Sequence, residues 1–167
     1  MEHQIVYNKE KSADYCLSLK INRSKKLVLA HGVFDFLHPG HVAHLREAST
    51  FGDQLFVSIT SDNFVNKGSG RPLFTQSERA NMLNALSFVD FVIINSFIHA
   101  VNLINFLKPQ VYVKGIDYDT CEENFSPNLK LEIRALRLNG GQFRTTKTDK
   151  KSTTDYLNRL REIFVIN

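Results

Sequence analysis

An α/β fold, a parallel sheet covered by helices on both faces, is predicted by two features of the sequence. Short apolar runs alternate along the chain with helical patterns, and those runs are mostly apolar, as strands buried on both sides should be. No internal repeat interrupts the alternation. At 167 residues, 43% hydrophobic and 23% charged, the chain is long enough to bury a real core. Its apolar runs fall far short of the roughly 20 residues of a membrane span, so a soluble protein with no membrane partner is expected. The charged N-terminal stretch lacks the apolar core of a secretory signal, and the two cysteines, Cys16 and Cys121, form neither a disulfide framework nor a C-x-x-C pair. Both point to a cytoplasmic location with ordinary thiols.

Each element follows in order. Residues 1–24 are expected to form an N-terminal extension with one helix near 11–21, ahead of the main domain at 25–167. Strands are predicted at 27–30, 55–60, 88–94, 110–113 and 142–145. Helices are predicted at 39–50, 76–86, 98–107, 129–138 and 153–164. Two starts can be read residue by residue. Pro39 suits the first turn of its helix, where its missing N–H would be unpaired anyway, and this puts His38 at the cap. Thr75 and Glu78 form a capping box before Met82, Leu83 and Leu86. The Gly-, Pro-, Ser- and Asn-bearing stretches 61–74 and 116–128 read as functional loops.

The net charge of +4, from 21 basic and 17 acidic residues, favours anionic ligands without demanding nucleic acid, and no aromatic-basic or zinc-finger motif supports a nucleic-acid partner. Basic residues gather at Lys20, Arg23, Lys25 and Lys26, which read as a solvated face. A second group, Arg144, Lys147, Lys150 and Lys151, adjoins Ser152, Thr153 and Thr154. There the hydroxyls and amides of a capped helix start can hold a phosphate, although a plain N-cap explains them equally well.

The strongest chemical signal is Gly32-Val33-Phe34-Asp35-Phe36-Leu37-His38-Pro39-Gly40-His41, where the first main strand turns into a long helix. In open α/β sheets, ligands bind at that carboxyl end of a central strand. Gly32 and Gly40 let backbone approach a ligand, and the free amides of the helix start form an anion site. His38 and His41, three apart, add donors that can converge on phosphate oxygens as their charge rises. The spacing of His38, His41 and His44 mimics metal ligands, but no Cys, Asp or Glu cluster completes a tetrahedral set, so no protein-bound metal is expected. No Ser or Cys triad pattern is present.

With these residues in view, the chain resembles the cytidylyltransferase-like superfamily, whose H-x-G-H signature class I aminoacyl-tRNA synthetases share. Within it the chain looks most like the stand-alone adenylyltransferases that make ADP-heptose from heptose 1-phosphate, with the glycerol-3-phosphate cytidylyltransferases next. The matching segments run from about 25 to 160: the 32–41 turn, Gly52-Asp53, Ser61-Asp62, Lys67-Gly68 with Arg71-Pro72, Glu78-Arg79, Val89-Asp90, 113–118, Gly140-Gly141 and 152–154. The resemblance implies a Rossmann-like three-layer α/β/α sandwich with a five-stranded parallel sheet in the order 3-2-1-4-5, and a homodimer.

It also implies a nucleotidyltransferase that takes an NTP, ATP preferred, and a phosphorylated small-molecule acceptor, with Mg²⁺ accompanying the triphosphate. The resemblance puts Val33, Phe34, His38, Gly40 and His41 on the nucleotide's phosphates, and Gly32 and Asp35 of the same turn are expected to bind the nucleotide. Lys114, Gly115 and Asp117 are placed at the nucleotide, with Arg79, Ser152 and Thr153 as further phosphate ligands. Lys67 and Arg71 are placed to meet the acceptor phosphate or the leaving pyrophosphate, as cations suit either. Relatives carry an arginine-bearing stretch before the Ser-Thr-Thr; here it reads Lys147-Thr148-Asp149-Lys150-Lys151, which leaves Lys147 as substitute. His31 stands where asparagine or tyrosine is common, and 121–128 looks inserted; acceptor specificity could sit at either. A CTP-dependent enzyme acting on glycerol 3-phosphate and a non-catalytic nucleotide-binding regulator remain the alternatives.

Overall fold

The computed structural model describes residues 4–7, 24–66, 68–118, 121–148 and 153–165. Six strands form one sheet: β1 (Gln4–Tyr7), β2 (Leu27–Gly32), β3 (Gln54–Thr60), β4 (Phe91–Asn95), β5 (Val111–Lys114) and β6 (Gln142–Thr145). Their order is β1-β4-β3-β2-β5-β6. The five strands from β2 onward are all parallel to their neighbours, which is the expected 3-2-1-4-5 sheet. The addition is β1, which pairs antiparallel with the edge strand β4, Gln4 opposite Ile94 and Ile5 opposite Ile93. Nothing in its polar surroundings announces it, because what orders it is the unpaired edge of β4. The helix expected near 11–21 lies outside the described residues.

Five α-helices occur among the described residues: α1 (Pro39–Ser49), α2 (Gln76–Asn84), α3 (Val101–Leu107), α4 (Pro127–Leu138) and α5 (Thr153–Val165). Alternation along the central strands feeds two cores. Leu27 and Leu29 of β2, Phe56 of β3 and Ile93 of β4 pack with Leu103 and Ile104 of α3 and Ile133 and Leu136 of α4. The intervening Val28, Ala30, Val57 and Val92 pack on the other face with Leu45 and Ala48 of α1 and Leu83 of α2. At about 25 cal/mol per Å² of apolar surface removed from water, these two layers are the main stabilising term of the fold.

Local signals work as the residues suggest. Pro39 opens α1, and His38 is its N-cap. Thr75 and Glu78 form both bonds of the capping box of α2. Ser126 caps α4, whose second residue-level signal is again a proline, Pro127. Two aspartates of the matched segments prove architectural: Asp53 accepts the Lys26 amide at 2.6 Å and Asp90 the Leu55 amide at 2.7 Å, each tying a loop to the start of a strand. No described helix is long and apolar enough to cross a membrane.

Candidate active site

Strand order reverses between β2 and β5, so the carboxyl ends of these neighbours diverge into a crevice, the place where ligands bind in doubly wound sheets. A cleft of about 390 Å³ opens there. Its lining includes Gly32, Val33, Phe34, His38, Gly40 and His41 from the β2–α1 turn and Lys114, Gly115 and Asp117 after β5. Nine of the expected site residues therefore meet in one place.

The turn itself is held in an uncommon shape. Phe34 adopts a left-handed backbone, φ 49°, yet is 6% exposed, and a side chain at Gly32 would have its Cβ 3.1 Å from the Phe34 ring. A non-glycine residue at positive φ persists only where its surroundings enforce it, and such residues collect at functional sites. The Phe34 ring meets the His41 ring edge-on at 5.1 Å, and His41 stacks on His38 with centroids 3.8 Å apart. His38 Nδ1 accepts the His41 amide at 3.4 Å, which assigns the proton of the neutral ring to Nε2. Tyr156 of α5 lies 5.2 Å from the His38 ring and brings the C-terminal helix over the turn.

Two further histidines stand in the lining, and both are neutral. His31, at the end of β2, bonds through Nδ1 to Ser58 Oγ at 3.0 Å, and burial with nearby Lys114 lowers its pKa to about 4. His44, one turn along α1, bonds through Nδ1 to Thr146 Oγ1 at 2.7 Å, and the same two causes lower it to about 4.

Asp35 and Arg79 lie outside the cleft lining, bonded to the protein. Asp35 is 2% exposed and accepts the Leu73 amide at 2.6 Å, the Phe74 amide at 3.3 Å and Arg71 Nη1 at 2.7 Å. Arg79 is fully buried. It donates to the carbonyls of Phe74 at 3.0 Å, Val33 at 2.5 Å and Thr60 at 2.8 Å, and to Asp62 at 2.7 Å. Both spend their hydrogen bonds on the protein and shape the floor of the cleft from beneath. Arg71 sits on Asp35, partly exposed, outside the lining. Lys147 is also outside it, its amide on the Glu47 carboxylate at 3.0 Å, while Thr148 reaches the lining. Lys67 and Ser152 lie outside the described residues, as does the side chain of Thr153.

Sequence reading missed Glu132. It sits among Leu129, Ile133 and Leu136 on the buried stripe of α4, 3% exposed, and faces the cleft. A charged residue in an apolar helical stripe was the available signal.

The turn, the switch point and the sheet order together define a nucleotidyltransferase-type domain. The chain belongs to the cytidylyltransferase-like family, which matches residues 29–159. It is 40% identical over 146 residues to the bifunctional protein HldE of Campylobacter fetus, covering 86% of this chain and 30% of that protein. It is 42% identical over 142 residues to the protein of the same name in Geotalea uraniireducens, covering 83% of this chain and 28% of that one. The chain thus spans about three tenths of the length of these curated relatives. Among solved structures, the lipopolysaccharide core biosynthesis protein of Thermoplasma volcanium is similar with a TM-score of 0.59 and 26% identity, over 77% of this chain and 99% of that one.

Proposed function

We propose that the protein transfers a nucleoside monophosphate from an NTP, ATP in preference, to a sugar 1-phosphate such as heptose 1-phosphate, in the supply of surface-polysaccharide precursors. The observation that carries this reading is the stacked His38–His41 pair at the start of α1, set at the switch point of the sheet. Support for the acceptor comes from the motif resemblance to ADP-heptose-forming enzymes and from the named role of the Thermoplasma neighbour.

An oxygen of the acceptor phosphate attacks the α-phosphorus; the new P–O bond forms as the α–β bond breaks, and pyrophosphate leaves with the electron pair. No proton has to move, because a phosphate monoester near pH 7 already carries about −1.5 to −2 charge. The protein's work is positioning and charge stabilisation. The α1 amides and the His38 and His41 rings hold the triphosphate, and Arg71 and Lys67 bring in the acceptor phosphate. Among the described residues no group of three His, Cys, Asp or Glu could cage a metal. If Mg²⁺ arrives with the triphosphate, Asp117 of the lining would be the carboxylate that holds it, and the ion would supply charge neutralisation.

A pyrophosphate-release screen of four NTPs crossed with heptose 1-phosphate, glycerol 3-phosphate and related monoesters tests the reading. ATP with heptose 1-phosphate is expected to give the highest rate. CTP with glycerol 3-phosphate as the best pair would move the protein to the cytidylyl reaction, and nucleotide binding without release for any pair would make it a regulator.

A further inference from the structure

The cleft has a second wall, chemically unlike the phosphate-facing turn. His31 follows Leu27 and Leu29 on the sheet face covered by α3 and α4, away from α1. On that face Lys114 Nζ donates to the His31 carbonyl at 3.0 Å and stands 3.6 Å from Glu132 Oε2. Glu132 accepts the Ala100 amide at 2.8 Å through Oε1 and the Tyr112 hydroxyl at 2.7 Å through Oε2. The Tyr118 ring lies 5.7 Å from the Lys114 ammonium at the mouth of the cleft.

Three properties decide what such a wall can take. Its charge is balanced, since the ammonium is compensated by a carboxylate beside it, so an incoming phosphate would meet as much repulsion as attraction. Its hydrogen-bonding capacity is not used up: an ammonium has three donors and each carboxylate oxygen about two lone pairs, more than the bonds above consume. Tyr118, 38% exposed, and Ile98, 58% exposed, add apolar surface to the lining, suited to the C–H face of a ring. A group that both donates to a carboxylate and accepts from an ammonium is a hydroxyl.

We propose that the His31–Lys114–Glu132 wall, with Tyr118 at its mouth, binds the hydroxyl-bearing carbon skeleton of the acceptor and sets acceptor specificity. This rests on the reaction proposed above. It moves Lys114 from the nucleotide to the acceptor and gives the adjacent walls a division of labour: the α1 turn holds phosphates and the α4 wall reads the polyol.

The test uses the full chain with Lys114→Met, Glu132→Gln, the double variant and Tyr118→Ala. Each is assayed for acceptor and NTP KM at saturating partner, and for NTP affinity by calorimetry. The buried variants are expected to raise the KM of the sugar phosphate by about tenfold or more with NTP Kd within about twofold of wild type, the signature of a lost acceptor contact. The double variant should be no worse than the poorer single, because the pair acts as a unit. Tyr118→Ala, at an exposed position, keeps the test open if the buried variants fail to fold, and should raise the same KM about threefold. Unchanged acceptor KM across the folded variants, or loss of NTP affinity by about tenfold, would overturn the proposal. If wild-type protein turns over no acceptor, the reaction reading fails by itself. NTP calorimetry then still decides the wall: unchanged affinity keeps it off the nucleotide, and a tenfold loss overturns it.

Discussion

Two sets of paired charge flank the same turn, and they differ in where their hydrogen bonds go. In the first, Asp35 and Arg79 spend their hydrogen bonds on backbone and on their ion partners, Arg71 and Asp62. Asp35 and Arg79 thereby clasp the loop after β3 onto the β2–α1 turn and present little charge to a ligand, while Arg71 stays partly exposed. In the second, Lys114 and Glu132 are also paired, but they line the cleft and retain capacity for further bonds. Charge buried beneath a site fixes its shape, whereas charge at its surface can read a substrate. An arginine in a family motif can therefore belong to the scaffold, and a glutamate outside the motifs to the site.

The largest expected effect tests the scaffold side. Arg79→Met would take their Arg79 donor from three carbonyls and from Asp62 Oδ1, and truncating one partner of a buried charge network costs about 3–5 kcal/mol. Thermal unfolding should show this loss in the absence of any ligand. A variant as stable as wild type but unable to bind NTP would return Arg79 to the nucleotide and break the distinction.

Next in size are His38→Ala and His41→Ala. Each should fold and lose turnover by about 10²–10³, the range for one preorganised transition-state donor. Pyrophosphate release near the wild-type rate in either variant would remove that histidine from the chemistry.

A third expectation sharpens the contrast through pH. His31 and His44 have folded pKa values near 4 against 6.5 for the free side chain, so the unfolded chain takes up protons first as pH falls. The stability they contribute is complete above pH 6.5 and is lost on the way down through pH 4, about 2 kcal/mol each by pH 5. Tm should therefore fall between pH 7 and pH 5, and His44→Gln should flatten the decline. A profile identical in wild type and variant would show that His44 is not buried neutral.

The smallest effect belongs to Arg71→Ala. Asp35 keeps its two amide donors without it, so stability should change by only about 1 kcal/mol, as for a partly exposed pair. Acceptor KM should rise severalfold while NTP affinity changes less. Equal loss on both sides would place the guanidinium at the pyrophosphate.

How far the sequence carried depended on the distance over which each feature is decided. The Pro39 start, the Thr75–Glu78 box and the apolar run of β2 were legible because they involve residues within a few positions of each other. Boundaries slipped where the chain turns: the strand predicted from 88 begins at Phe91, because Val89 and Asp90 are taken up by bonds to Leu86 and Leu55. The phosphate-facing turn was legible because its glycines, histidines and proline are contiguous. Which charges serve it was not. Arg79 meets Val33 across 46 positions, Lys114 meets His31 across 83, and β1 exists only against the free edge of β4. Local periodicity and capping chemistry thus determined the elements and the anion site from the sequence alone. Tertiary packing decided which charges became scaffold and which faced the cleft, because a side chain's partners and its access to water are set by residues the chain reaches only after it has folded.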